Sequence, residues 1–303
     1  MNRQQTVAFE TTIEQAVSAE GIGLHHGVPV KVRILPAAAG TGIVFRRTDL
    51  NGFEIPASFR YVARVSYATS LMKQGVLIST TEHLLSALYS LGIANAIVEI
   101  DNLEVPILDG SSLPWVELLH TAGRKVQRRQ KRFLRIKREV CVEGNGKRIR
   151  ILPSDEFKFD CDVYFDHPLV GRQKFRFQLT PERYTTDIAP ARTFGFEQEL
   201  DAMRNMGLIR GASLENAVCF TPTGVLNPEG LRFADEPVRH KVLDLIGDLA
   251  LIGRPMLGHV IAERAGHAMH VALVSKIVSD ESLYEVMTLE DSLALSRSQS
   301  VPA

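Results

Sequence analysis

His240 and Asp244, in the run His240-Lys241-Val242-Leu243-Asp244, occupy positions i and i+4 of a helical pattern. One helix face then carries an imidazole beside a carboxylate, as a chelating pair requires. Far upstream, Ser79-Thr80-Thr81-Glu82-His83 offers a second imidazole at a helix start, directly after an acid. Adjacent side chains diverge on a helix, so with His83 as third ligand Glu82 stays out of the ligand set and addresses water on the same ion. Two nitrogens, one carboxylate oxygen and an open position describe the metal site of a hydrolase. Each signal is weak when read singly. A His/Asp pair one turn apart is more often a surface ion pair, and Glu82 also fits the acid of a capping box begun by Ser79. Asp248 sits one turn past Asp244 among Leu243, Leu245, Ile246 and Leu249, and a carboxylate in such surroundings requires a partner. Lys241, next to His240, points off the ligand face; it can reach a substrate oxygen nearby or stand simply as an exposed lysine. His25 and His26, in a Gly-flanked turn, cannot easily face one metal and read as structural hydrogen-bonding groups.

These residues need elements to hold them. Period-two alternation at 30–34, ended by Pro36, and the run 42–45 read as a hairpin. Residues 76–78 run into the Ser79 helix start, whose stripe of Leu84, Leu85, Leu88 and Leu91 stops at Gly92. A strand at 96–100 and a helix from Leu113-Pro114-Trp115 to Ala122-Gly123 follow. Nine Lys or Arg residues then fall between 124 and 138, the clearest break in composition. We read that stretch as a solvated linker face, dividing domain 1–127 from domain 128–303. The second domain repeats the pattern, with strands at 133–136, 140–143, 148–152, 157–163 and 175–179. Helices are expected at 197–206, 236–251 and 267–278, and a frayed tail after Asp291. The fold class is α+β: two similar domains, each a layer of mainly antiparallel strands packed on helices.

Composition bounds the function. Lys plus Arg (35) equals Asp plus Glu (35) in 303 residues, so no global field points to nucleic acid or an anionic membrane. The basic stretch could bind RNA, but only Phe133 is interleaved in it, too few aromatics for base stacking. Three cysteines, an odd number without metal-ligand spacing, suggest reduced, buried thiols in a cytosolic protein. Met1-Asn2-Arg3-Gln4-Gln5 leads into no apolar signal segment, and the longest apolar run, 242–253, contains Asp244 and Asp248. The expectation is a soluble, unexported chain.

Five blocks occur in the order and spacing of one family: Thr80-Thr81-Glu82-His83-Leu84, Pro106-Ile107-Leu108-Asp109-Gly110-Ser111, Ala191-Arg192-Thr193-Phe194-Gly195-Phe196, Val238 to Asp244 with Gly247-Asp248, and Gly266-His267. From about Thr12 to Asp291 the chain resembles the UDP-3-O-acyl-N-acetylglucosamine deacetylases, zinc amidases of Gram-negative lipid A synthesis. The resemblance implies that the active site lies between the two domains. It implies that His83, His240 and Asp244 bind one catalytic Zn²⁺, with Glu82 as general base and Thr193 as oxyanion donor beside the ion. Zinc can lower the pKa of a bound water to about 7 and polarise an acetamide carbonyl. His267, held as imidazolium by Asp248, is implied as proton donor to the leaving amine, with Glu82 itself the alternative. For the nucleotide, Lys241 and Arg264 are candidates for the diphosphate and Phe165 for stacking on uracil, although Phe165 equally fits a core position. An inserted βαβ piece in the second domain is implied to line the acyl groove, and Phe194, Phe196, Leu200, Ala212, Ser213, Ala217 and Val218 fall in it. Gly211 and Ala212 are small enough to pass a chain or simply to pack tightly.

The implied partner is a UDP-sugar glycolipid with one acyl chain, handled by a cytoplasmic monomer without transmembrane segment or nucleic acid, in transient contact with a membrane. An amidase for another acylated amino sugar is the nearest rival. One departure stands out: where the family often has a cysteine that can bind a second, inhibitory zinc, this chain has Tyr67-Ala68-Thr69-Ser70.

Overall fold

The computed structural model describes residues 8–291, so the readings made on the first five residues and on the tail lie outside it. A first sheet of five strands has the order Val17–Ile22, Pro29–Pro36, Ala96–Ile100, Ile43–Arg47, Phe53–Pro56. Its pairs are antiparallel except Ile43–Arg47 against Ala96–Ile100, where Val44 faces Ile97 in parallel register. Pro29–Pro36 keeps the alternation visible in the sequence, turning Val30, Val32 and Ile34 into the core. Two helices belong to this half, α1 (Glu82–Ser90) and α2 (Leu113–Ala122).

The second sheet has seven strands. Its spine is Val140–Gly144, Lys147–Leu152, Met256–Glu263, Phe133–Ile136 and Tyr284–Met287, and Phe157–Tyr164 joins Met256–Glu263 in parallel while pairing Arg172–Gln178 on its other side. The central strand, Met256–Glu263, is absent from the sequence reading. Gly258 and His259 interrupt its apolar run, and its alternating burial appears only once neighbours flank it on both sides. A small third sheet joins Phe194–Phe196 in parallel to Val218–Thr221, with the short helix α3 (Leu200–Asn205) between them, which is a βαβ unit. Two longer helices complete this half, α4 (Glu236–Leu249) and α5 (His267–Val278).

The fold is α+β, mainly antiparallel, and two expectations change. The basic stretch is not a linker: Arg124–Gln130 is a strand paired with Phe9–Ile13, Lys125 opposite Thr12, and Phe133–Ile136 enters the second sheet. The cations of Arg124–Gln130 stand on exposed strand positions, and the pairing partner lies too far away in the chain for composition to reveal it. Likewise Cys141 is only half-buried and accepts a hydrogen bond from Arg148 Nε at 3.3 Å, while Cys161 and Cys219 are buried.

Both halves share one continuous core, from Ile13 to Ile277. At its centre α1 crosses α4. A Cβ at Gly247 would lie 2.1 Å from the Glu82 carbonyl oxygen, so only glycine permits this approach. The contact sets the first turn of α1 against the C-terminal half of α4, beside the chemistry-bearing residues.

Candidate metal centre

Ser79 does not cap α1. The strand Val76–Ile78 continues through it into a bridge with Glu104, and the Ser79 N–H donates to Leu103 O at 2.9 Å. Thr80 then takes a left-handed conformation (φ 57°), held by its hydroxyl donating to Glu104 Oε1 at 2.8 Å. Such a conformation costs a non-glycine residue about 1–2 kcal/mol. The turn delays the helix to Glu82 and aims that side chain inward, where Oε2 accepts the Thr69 N–H at 3.1 Å. No capping box forms, because the acid is used inside the molecule.

His83, His240 and Asp244 converge across the α1–α4 crossing. Their ligand atoms lie within 4.8 Å of one another, and the three residues are 5 %, 2 % and 2 % exposed. Asp244 Oδ1 is 3.4 Å from His240 Nε2 and 3.6 Å from His83 Nε2, with the two rings edge to face. His240 Nδ1–H donates to Ala191 O at 3.0 Å, which fixes the tautomer and leaves Nε2 as a lone-pair donor. Burial pushes the His240 pKa down to about 3, so this nitrogen is unprotonated. For Asp244 burial opposes ionisation, but the neighbours led by His240 and Lys241 outweigh it and hold the carboxyl well below its ordinary value. An unprotonated His240 nitrogen, a second imidazole from His83 and an ionised carboxylate, converging in one buried place, are a donor set for a divalent cation of the zinc type.

Lys241 differs from its expected place. Its Nζ reaches back to Asp244 Oδ2 at 2.8 Å, an i, i+3 contact, and so engages the oxygen opposite the one facing the imidazoles. Burial works against its charge, and Asp244 more than compensates, raising its pKa. A long side chain spans the angular gap that an i+1 position implies, which reading by helical faces alone overlooks.

Beside the cluster lies an acid–base array. Burial pushes Glu82 up to about 7, only partly offset by His267 and His83. Asp248, wholly buried, finds the partner that its surroundings demanded: His267 Nδ1–H donates to Oδ2 at 2.7 Å. His270, one turn further along α5, donates to the same oxygen at 2.8 Å, and Thr69 Oγ1 donates to Oδ1 at 2.5 Å. Burial alone would lower the His267 pKa, yet the Asp248 carboxylate raises it to about 9. A proton acceptor near neutrality and a proton donor above it therefore flank one cluster.

A groove of about 590 Å³ opens from this array. Thr193, Phe194, Leu200, Ala212, Ser213, Ala217, Val218, Lys241 and His267 line it, as do Leu24, Met203, Ile209, Leu226 and Met269, which the sequence reading left out. Thr193 is clamped by its backbone: its N–H donates to Gly110 O and its carbonyl accepts from Val218 N–H, both at 2.8 Å. Gly211 packs rather than threads, since a Cβ there would lie 2.2 Å from Gly23 O. Phe196 belongs to a small core with Val170, Val218 and Phe220, and Phe165 packs on Phe194 and Phe196 at centroid distances of 5.2 and 5.6 Å. Neither Phe165 nor Arg264 is among the groove-lining residues; Arg264 is exposed and donates to Gly146 O. His26 Nδ1 meets Glu104 Oε2 at 2.7 Å, in keeping with a structural role, whereas the His25 ring borders the groove.

Comparison with known sequences agrees with this geometry. A family model, LpxC, described as UDP-3-O-acyl N-acetylglycosamine deacetylase, matches residues 10–279. The chain belongs to this deacetylase family. It is 66% identical over 282 residues to the UDP-3-O-acyl-N-acetylglucosamine deacetylase of Solibacter usitatus (strain Ellin6076), covering 93% of this chain and 95% of that one. The proteins of that name from Aliarcobacter butzleri (strain RM4018) and Myxococcus xanthus (strain DK1622) are 45% and 43% identical. These matches cover 93% and 92% of this chain, and 94% and 89% of theirs.

As a member of the deacetylase family the chain keeps all five blocks quoted above, yet two residues of the array escaped sequence reasoning. Thr69 lies in a segment noted only for its missing cysteine, and its polar side chain beside a strand gives no local signal. His270 had one, since it stands i+3 from His267 and shares its helix face. Ala68, also in that segment, is buried and carries no ligating atom.

Proposed function

We propose that this chain hydrolyses the N-acetyl group of UDP-3-O-(3-hydroxyacyl)-N-acetylglucosamine to the free amine and acetate, the committed step of lipid A biosynthesis. The observation that carries the reading is the convergence of His83, His240 and Asp244 beside Glu82, at the head of an apolar groove. The name shared by the relatives supplies the substrate. The site lies between domains 1–127 and 128–303, so one copy is complete and acts as a monomer. A nucleotide-sugar substrate supports a cytoplasmic location, in transient contact with a membrane surface. No described helix is long and apolar enough to cross a membrane.

His83, His240 and Asp244 would hold Zn²⁺, with Lys241 engaging Asp244 Oδ2 so that Oδ1 serves the ion. When bound, zinc supplies Lewis acidity toward the acetamide carbonyl and makes water more acidic. Glu82 takes a proton from the attacking water as the new C–O bond forms. The Thr193 hydroxyl donates to the developing oxyanion, a contact worth about 10²- to 10³-fold in rate. His267, protonated and oriented by Asp248, gives its proton to the nitrogen as the C–N bond breaks, so the amine leaves neutral. Phe194, Leu200, Ala212, Ser213, Ala217 and Val218 receive the acyl chain. Lys241 faces a substrate oxygen, and Arg264, beside the rim residue Lys147, meets the diphosphate.

The test is acetate release from this substrate by wild type, His83→Ala and Glu82→Ala, with zinc content measured on each. His83→Ala should lose both zinc and activity. Glu82→Ala should keep zinc and lose about 10²- to 10⁴-fold in rate. Full activity in Glu82→Ala would end the assignment of the base.

A further inference from the structure

Thr69 stands where the two halves of the site meet. Its N–H donates to Glu82 Oε2 at 3.1 Å, its hydroxyl donates to Asp248 Oδ1 at 2.5 Å, and its carbonyl accepts the Thr81 N–H at 3.3 Å at the start of α1. The residue is 0 % exposed. Asp248 Oδ2 is already filled by the Nδ1–H groups of His267 and His270, whereas Thr69 is the one donor to Oδ1 among the described residues. The rotation of the Asp248 carboxylate about its own bond is thus set by this hydroxyl. Its lone pairs also face His267 Nδ1 at 3.2 Å, so the imidazole plane is held from two sides.

We propose that Thr69 is a positioning residue that registers the proton donor against the proton acceptor: its backbone fixes Glu82, and its hydroxyl fixes Asp248 and, through it, His267. The proposal deepens the acid–base reading above and rests on it. Glu82 comes from α1, Asp248 from α4 and His267 from α5, three elements whose relative placement no local sequence enforces. Hydrolysis removes a proton at Glu82 and returns one from His267, so both must meet a single tetrahedral carbon and its nitrogen in the right geometry. A displacement of about 1 Å in such a pair costs on the order of 10²-fold in rate. Valine matches threonine in shape and keeps the backbone N–H to Glu82, so Thr69→Val removes only the hydroxyl, with its bond to Asp248 and its contact with His267 Nδ1.

The experiment uses the zinc-loaded full chain and measures acetate release, zinc content and melting temperature for Thr69→Val and Thr69→Ser. Both substitutions are made in the wild type and in a His267→Gln background. Thr69→Val should lower kcat about 10- to 100-fold with KM within about twofold and zinc unchanged. Thr69→Ser, which keeps the hydroxyl, should stay within about threefold of wild type. With His267 already removed, Thr69→Val should cost less than about twofold more, because residues acting as one unit are not additive. In the zinc-free protein the low-field proton resonance of His267 Nδ1–H should move in Thr69→Val and not in Thr69→Ser. Equal slowing by Thr69→Val in both backgrounds would overturn the proposal, as would serine faring as badly as valine. Both outcomes leave Glu82 and His267 in their roles. Full activity of His267→Gln and Glu82→Gln would instead overturn the acid–base reading itself.

Discussion

Glu82, His83, His240, Asp244 and Asp248 are each at most 5 % exposed and sit inside the continuous core where α1 crosses α4. The βαβ unit that supplies much of the groove wall is built differently. Its strands close over a separate cluster of only four buried side chains, Val170, Phe196, Val218 and Phe220, and α3 buries no residue fully. One region positions charge in a place that cannot relax without disturbing both sheets. The other presents apolar surface from an appendage with little at stake in the main core. The contrast teaches that chemistry and chain recognition can vary separately here. Ionisable groups need fixed partners and a fixed degree of burial, while an acyl chain needs only width and length.

Glycine substitutions break the comparison most severely. Gly247→Ala should force α1 and α4 apart, with a stability loss on the order of 3 kcal/mol and loss of zinc, read by calorimetry and metal analysis. Gly224→Ala, in the short strand Gly224–Val225 that pairs with the second strand of the βαβ unit, meets nothing nearer than 3.5 Å and should leave both unchanged. Equal effects would show that the two regions are one unit after all.

The next effect is on pH dependence. Glu82, raised to about 7, must be ionised to take a proton, so kcat/KM should rise as pH increases through its pKa. His267, raised to about 9, must be protonated to give one, so the rate should fall as pH climbs through its pKa. A bell results, and a bound dication shifts both limbs toward lower pH by favouring the less protonated forms. Glu82→Gln should abolish the acid limb together with most of the rate. Survival of that limb in Glu82→Gln would assign it to another group.

On the groove side, Ala217→Trp should raise KM for a long-chain substrate about tenfold while a substrate with a short acyl chain is turned over within about twofold of wild type. Equal loss on both substrates would mean that the wall and the metal centre are mechanically coupled. The smallest effect concerns Phe165, whose ring is committed to Phe194 and Phe196. Phe165→Leu should cost about 1 kcal/mol of stability and leave KM within about twofold. A tenfold rise in KM with unchanged stability would restore its stacking on uracil.

Much of this was legible in the amino-acid order. Pro29–Pro36 and α1 announce themselves by period, Pro114 and Gly123 bound α2, and the i, i+4 spacing of His240 and Asp244 puts both on one face wherever that helix forms. What escaped has a common cause, which is dependence on partners distant in the chain. Met256–Glu263 is a strand because six others complete its sheet, three of them, Phe133–Ile136, Lys147–Leu152 and Phe157–Tyr164, paired with it directly. Arg124–Gln130 looks like a linker until Phe9–Ile13 pairs with it. Glu82 satisfies the spacing of a capping box, and only the left-handed turn at Thr80 decides that it faces inward. Sequence alone determined which atoms are available for chemistry, because residue type and helical period are local properties. Tertiary structure decided which of those atoms meet and in what protonation state, because proximity and desolvation arise only when distant segments exclude water together.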